Sequence, residues 1–300
     1  MTPFLPPELE RDIFELFVAS SGTKSIPPLL RVARRVKLWL EPSLYRIALV
    51  GPSRSEKKRL ELEDTENALL QAEVLIAAIQ HGRLPPSFFD AHVHHVFVDS
   101  LGYPIPSRDT ILAALTGTTD LFLLNILAAP SLLANVRRMP LRHLQANLGS
   151  LFRAPTDLTS VVGSVDFSAP MFAQLTHLAV FDDLTECPTA EWAAGLAGLP
   201  ALTHLSFGHN EEHPLFWEVL GGRGCAALRV FVVLVDFEHE TLQKALELQK
   251  ALERDERAVI MEDHKTYEGE KDWYRGARGS DDYWERAEGL LRERRLSRRR

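Results

Sequence analysis

The chain has few cysteines, and their positions exclude the chemistries that depend on cysteine clusters. Among its 300 residues only Cys187 and Cys225 are cysteines, and they do not form a Cys-x-x-Cys pair. A disulfide scaffold needs several paired cysteines and a structural zinc site needs four ligands, so we expect neither. A reducing compartment fits this composition, and we expect the protein in the cytoplasm or the nucleus.

Long apolar runs and a basic excess are missing as well. The most apolar stretch, 121–136, is interrupted by Asn125, Pro130 and Asn135, so it is too broken to span a bilayer. The first residues lack the basic-then-apolar pattern of a secretory signal. A net charge of −7 argues against a general nucleic-acid binder, because such proteins usually carry a basic excess. The sequence thus predicts no membrane partner and no nucleic-acid partner.

Signatures of enzyme active sites are absent too, with one exception. There is no Gly-x-Ser-x-Gly, no Walker loop, and no Gly-x-Gly-x-x-Gly after a strand. The exception is Asp90-Ala-His92-Val-His94, whose two histidines would share one face of a strand, similar to the way amidohydrolase barrels hold a divalent metal. The chain is too short for a full barrel after its helical start. A metal-dependent hydrolase using His92 and His94 is therefore a distant alternative, and we expect a non-enzyme without metal or cofactor.

What the chain does contain is a recurring phrase. Leu-x-His-Leu occurs at 141–144, 175–178 and 202–205, and a looser form follows at 228–231. A period of roughly 25 to 35 residues is typical of repeat proteins, in which each unit is a strand followed by a short helix. We therefore expect an α/β fold built as a leucine-rich-repeat-like solenoid of short strands and helices. An ordinary α/β sheet uses similar local patterns and stays open as the alternative.

The histidine of this phrase recurs at one position, as His143, His177 and His204. Stacked strands would bring the three imidazoles into a ladder that points away from the leucine core. Repeat proteins bind their partners on such extended strand surfaces. These three histidines are therefore our candidate substrate-binding residues, for a protein substrate that the sequence does not identify.

The pattern along the chain divides it into four parts. Residues 1–50 predict three short helices with prolines at the corners, and 51–87 predict a linking helix. The repeats occupy 88–239, and 240–300 is a charged helical segment that ends in arginines. A repeat stack needs a polar cap for solubility, so we expect this last segment to be a helical cap over the open end of the stack.

The first part resembles an F-box. That family's pattern opens Leu-Pro-x-Glu-Leu, continues with Ile-Phe, and then has a hydrophobic helix with an Arg and a Trp. The matching residues here are Leu5, Pro6, Glu8, Leu9, Ile13, Phe14, Leu29, Leu30, Val32, Arg34 and Trp39. Ala33 stands where the family usually has a cysteine, and the spacing near Trp39 is compressed. Stretches 5–15, 32–36 and 41–46 are also similar to F-box-like proteins that mushroom-forming fungi carry in large numbers.

The resemblance implies docking onto the small adaptor subunit of a cullin–RING ubiquitin ligase, with the repeats holding a substrate. The adaptor-binding residues would be Leu5, Pro6, Leu9, Ile13 and Phe14, which offer apolar anchors beside charged side chains. We therefore expect a non-catalytic F-box-like adaptor that serves as a substrate receptor. A stand-alone protein-binding scaffold without ligase coupling is the alternative.

Overall fold

The chain folds as a mixture of helices and parallel strands. A computed structural model describes residues 5–21, 25–50, 72–82, 84–99, 105–125, 130–153, 164–208, 212–221, 225–235, 242–262 and 265–299. The helices are α1 (Pro7–Ser21), α2 (Ile26–Leu29), α3 (Arg34–Leu40), α4 (Ala72–Gln80), α5 (Pro86–His92), α6 (Ile105–Ala114), α7 (Pro130–Val136), α8 (Leu148–Phe152), α9 (Thr189–Ala197), α10 (Pro214–Gly221), α11 (Leu242–Leu252), α12 (Lys265–Ala277) and α13 (Tyr283–Arg298). The strands are β1 (Ile47–Val50), β2 (His95–Asp99), β3 (Asp120–Leu124), β4 (His143–Ala146), β5 (His177–Val180), β6 (His204–Gly208), β7 (Val230–Val235) and β8 (Ala258–Glu262).

In the part of the chain that the structure describes, one parallel sheet of 8 strands organises the fold. The spatial order of the strands, from β1 to β8, is their order along the chain. Each connection therefore steps to the next strand in the same direction. Since crossovers between parallel strands are nearly always right-handed, the helices between the strands return over the same face of the sheet. The expected α/β class with short strands is confirmed, and the opposite face is left for other elements to cover.

The main core lies on the face that the connecting helices cover. The second leucine of each repeat phrase points into it, and Leu144, Leu178 and Leu205 have no exposed surface. Phe231 takes the same place in the looser phrase, and Trp192 of α9 packs against this cluster from the helix side. Because side chains alternate along a strand, the residues next to these point to the other face of the sheet.

The start of the chain has a small core of its own. Ile26, Val36 and Leu40 are fully buried there, and Phe14 packs against them from α1. Glu10 of α1 also accepts two hydrogen bonds from the guanidinium of one arginine on α3, both at 2.8 Å. These contacts hold α1, α2 and α3 together.

The sequence misassigned the end of this first part. A third short helix was expected over 43–47, but residues Glu41–Leu44 form a 3₁₀ turn and Ile47–Val50 form β1. This apolar segment extends because it pairs with β2, in the register Ile47 to His95. Of the expected linking helix, α4 is described, and residues 51–71 lie outside the described residues.

The C-terminal helices lie across the second face of the sheet. Trp273 of α12 packs on Phe97 and Phe122, and Trp284 of α13 belongs to a cluster with Val230. The sequence predicted that the C-terminal segment caps the open end of the strand stack. The structure corrects this prediction, because α12 and α13 cover a face of the sheet. The physical reason is that the strands carry apolar side chains on this face too, and burial removes them from water.

The arginine-rich end of the chain is part of that cover. Helix α13 continues to Arg298, and two of its arginines bind the turn that precedes β8. The Arg294 guanidinium donates to the carbonyl oxygen of Asp255 at 3.0 Å, and that of Arg298 donates to the carbonyl oxygen of Glu253 at 2.8 Å. These bonds hold the last turns of α13 beside the edge of the sheet.

Candidate functional site

The three repeat histidines lie side by side, each at the first position of its strand. The strand register pairs His143 with His177 and His177 with His204. The ring centroids are 4.1 Å apart in the first pair and 4.0 Å apart in the second. The same row continues through Asp120 to His95. We call the side of the sheet that carries this row, opposite the main core, the histidine face.

Threonine hydroxyls orient two of the rings. Thr176 Oγ1 lies 2.8 Å from His177 Nδ1, and Thr203 Oγ1 lies 2.8 Å from His204 Nδ1. The other nitrogen of His204, Nε2, lies 3.1 Å from a carboxylate oxygen of Glu288 on α13. Because a bare ring nitrogen and a carboxylate oxygen are both acceptors, this contact requires a proton on one of them.

Helix α13 covers the far end of the histidine row. The Trp284 ring lies edge-on to the rings of His177 and His204, at centroid distances of 5.4 Å and 5.7 Å. The Tyr283 hydroxyl is 3.0 Å from Ser206 Oγ, on the next outward position of β6. The structure thus places His204 beneath a helix, and not on the open strand surface where the sequence placed it.

Asp120 joins the near end of the row to α12. Its carboxylate lies 3.0 Å from His95 Nδ1 and 3.7 Å from His143 Nδ1. It also accepts a hydrogen bond from Trp273 Nε1 at 2.8 Å. The other His95 nitrogen accepts from Arg46 Nε at 3.3 Å. These partners hold the Asp120 carboxylate and the His95 ring in one orientation.

The histidines of the suspected metal motif are not on one strand. His92 is the last residue of α5, where its ring packs edge-on against Phe88 at 4.6 Å, and His94 precedes β2. The expectation that they share a strand face is therefore wrong, because His92 ends a helix and the strand begins only after His94. Among the described residues, no group of three or more histidines, cysteines or carboxylates is placed to hold a metal ion.

The five suspected docking residues are divided between surface and interior. Leu5, Pro6, Leu9 and Ile13 are exposed along α1 and just before it. Phe14 is half-buried and packs against the small core of the first part. A single surface can therefore present four of the five, while Phe14 holds α1 in place behind them.

Residues that sequence reasoning assigned to a cap turn out to define the histidine face. Trp273 and Trp284 were expected to close the end of the stack, yet both are buried against strand side chains. The signal that points to this arrangement is alternation: Phe97, Phe122 and Val232 are apolar residues at the strand positions that face away from the main core. Such residues need a partner, and the C-terminal aromatics are that partner.

The protonation of this face opposes folding at acidic pH. Burial, reinforced by the neighbouring rings of His143 and His204, lowers the pKa of His177 to about 2. Burial likewise lowers the pKa of His143 and of His204. Their unfolded counterparts take up protons below about pH 6.5, so the folded state loses stability as the pH falls through that value. Burial raises the pKa of Asp182 and of Asp282 to about 6, which acts in the opposite direction.

We therefore expect His177→Phe to reduce the acid sensitivity of the protein. The phenyl ring keeps a flat side chain between the two neighbouring rings and removes the titrating group. Between pH 7.5 and 5.5 the native chain should lose about 1 kcal/mol more stability than the variant, from this residue alone. Urea unfolding of both proteins at the two pH values measures the difference. Equal losses would show that His177 is not a buried neutral base.

Among the described residues, no helix combines the length and the apolar character needed to cross a bilayer.

Comparison with known proteins adds no relative from which a function could be transferred. No family model matches the chain, and no curated protein sequence matches it. The function must therefore be argued from the surfaces of the molecule.

Proposed function

We propose that this protein is a non-catalytic F-box-like adaptor, a substrate receptor that docks through α1 onto the small adaptor subunit of a cullin–RING ubiquitin ligase. The observation that carries the proposal is an exposed apolar stripe along α1. Leu9 is 52% exposed, Ile13 is 56% exposed and Leu16 is 70% exposed. Leu5 precedes this stripe and Phe17 follows it, both also exposed. We call these five residues the α1 stripe.

The spacing of the α1 stripe suits a docking helix. Positions 9, 13 and 16 follow each other at four and three residues, which puts their side chains on one side of a helix. Phe14 and Val18 point the other way, into the small core. The stripe is therefore not needed to hold α1 in place. An exposed apolar patch of this kind is typical of a surface that binds another protein.

An exposed carboxylate borders the stripe. Asp12 is three residues after Leu9 and four before Leu16, so it lies beside them on α1. The Arg11–Glu15 ion pair at 2.6 Å lies farther round the helix. Apolar anchors surrounded by polar groups are the usual organisation of a specific protein interface. This supports a defined partner, since an apolar stripe without such a border would favour non-specific association.

The second half of the proposal is that the strands stack as a leucine-rich-repeat-like solenoid that holds the substrate. Support comes from the strand order and from polar links between neighbouring units. Asn125, directly after β3, donates to the Asp99 carboxylate at 3.2 Å, and Asn147, directly after β4, donates to the carbonyl oxygen of Phe181 at 2.7 Å. An asparagine after the strand is part of the leucine-rich-repeat pattern.

Co-purification with the adaptor subunit tests the proposal. We expect the native chain to form a complex that survives gel filtration, and Leu5→Ala/Pro6→Ala/Ile13→Ala to lose it. A matched control, Leu290→Ala/Leu296→Ala, removes exposed leucines from α13 and should bind like the native chain. Exposed substitutions of this kind change stability by only about 0.5 kcal/mol, so loss of the complex would report on the surface.

Other outcomes would contradict the proposal in distinguishable ways. Absence of any complex with the native chain would overturn ligase coupling and leave a stand-alone scaffold. Equal binding by the native chain and the triple variant would overturn the role of Leu5, Pro6 and Ile13 as anchors for the adaptor. Self-association of the native chain, abolished by the triple variant, would assign the stripe to a homodimer.

A further inference from the structure

The two faces of the sheet are built from different kinds of side chain. The main core is apolar along the strands, with Leu144, Leu178 and Leu205 at equivalent positions. The histidine face is also covered, but it buries polar groups that include Gln145 and Ser206. The same strands thus present a purely apolar surface to one set of helices and a mixed surface to another.

Permanent burial of a surface that mixes polar and apolar side chains is energetically unfavourable. Removing polar groups from water is unfavourable unless each finds a hydrogen-bond partner, and apolar side chains of the same size would stabilise a fixed core better. Interfaces that form and separate do use such mixed surfaces, because the free surface must also be soluble. The composition of the histidine face therefore fits a binding surface better than an interior.

Helices α12 and α13 cover the histidine face and bind it mainly through a few aromatic side chains, as a partner protein binds an interface. Trp273 is buried and donates to Asp120, while Tyr283 is buried with its hydroxyl on Ser206. Trp284 supplies the third anchor, over the histidine rings. Tryptophan and tyrosine that combine apolar area with one polar contact dominate the binding energy of protein interfaces.

The two helices also hold each other, so they form one unit. The Asp272 carboxylate on α12 accepts a hydrogen bond from the backbone N–H of Tyr283 at 2.6 Å and from the Arg286 guanidinium at 2.7 Å. Gly279 in the turn between them has φ of +78°, a left-handed conformation that favours glycine. This unit of residues 265–299 is here called the C-terminal pair.

We propose that the C-terminal pair is a tethered ligand, and that the histidine face is a binding site for an amphipathic helix that α13 occupies within the same chain. The side chains that a helix needs in order to bind this face are those of α13. They are two adjacent aromatics (Tyr283 and Trp284), a small residue followed by a carboxylate (Ala287 and Glu288), and an apolar residue (Leu291). This inference deepens the proposed function, because a substrate helix with this pattern would displace α13 and bind to the histidine face.

Competition with a free peptide tests the inference on the full-length protein. The probe is a fluorescein-labelled peptide of residues 265–299. The native chain should bind it weakly, because a tethered copy acts at an effective concentration of about millimolar. The full-length variant Trp273→Ala/Trp284→Ala weakens the tethered copy and should bind the probe at least tenfold more tightly. A probe that carries the same two substitutions should bind neither protein.

Hydrogen exchange on the native chain covers the case in which the variant fails to fold. If the inference holds, the amides of α12 and α13 exchange together and at least tenfold faster than those of β4, β5 and β6. Exchange of both sets at one common rate would overturn it, since the C-terminal pair would then leave only with global unfolding. A folded variant that binds the probe no better than the native chain would overturn it too.

Neither experiment involves the ligase adaptor. Failure of the peptide and exchange tests would leave docking through the α1 stripe untouched, and failure of co-purification would leave the tethered ligand untouched. The proposed function and this inference are therefore tested separately.

Discussion

Replacement of Trp273 by alanine is expected to lower the free energy of unfolding by about 3–5 kcal/mol. The side chain is buried on α12, and its ring lies 5.9 Å from that of Phe97 and 6.2 Å from that of Phe122. The substitution empties this space and also removes the donor to the buried Asp120 carboxylate. Both losses act together, because the same side chain fills the space and donates the bond. Urea denaturation at neutral pH measures the change.

Two further substitutions separate these effects. Trp273→Phe keeps most of the ring and removes the N–H donor, so it should lose about 1–3 kcal/mol. Trp217 is the matched control, since it is half-buried on α10 and donates to the exposed Glu212 carboxylate at 2.6 Å. Trp217→Ala should therefore be the milder change. A loss of less than about 0.5 kcal/mol for Trp273→Ala would show that α12 is not packed on the sheet.

The parts of the fold that follow from short-range patterns were predictable. The repeat phrase predicted strands at β4, β5 and β6. In each strand the second leucine and the residue two positions later face the main core, while the histidine faces the other side. Both leucines of the phrase are indeed buried, as with Leu175 and Leu178. The helices of the segment 240–300 were also predicted, although β8 lies between α11 and α12 and belongs to the sheet.

The parts that depend on distant partners were not predictable from the sequence. Ile47–Val50 is too short for its sequence pattern to predict a strand, and it forms one only because it pairs with β2. Similarly, the aromatic residues of the C-terminal pair show that it needs an apolar partner, but not which surface supplies one. Trp273 finds its partners on β2 and β3, which precede it by more than a hundred residues.

The candidate site shows the same division. The alignment of His143, His177 and His204 follows from the repeat, and the strand register places them side by side. Their surroundings do not follow from it, because Glu288 and Trp284 belong to a segment outside the repeats. A row that the sequence presents as an open binding surface is thus partly covered by the chain's own helix, at His177 and His204.

Modification of single histidines by diethyl pyrocarbonate, located by mass spectrometry, measures directly whether the C-terminal pair covers the histidine face. The His143 side chain is 37% exposed and that of His204 is 9% exposed, although the two lie in one row. His81, exposed after α4, serves as the reference in the same molecule. We predict that His204 reacts several times more slowly than His143 and more slowly still than His81. Modification of His204 as fast as His81 would contradict the placement of α13 over the strands.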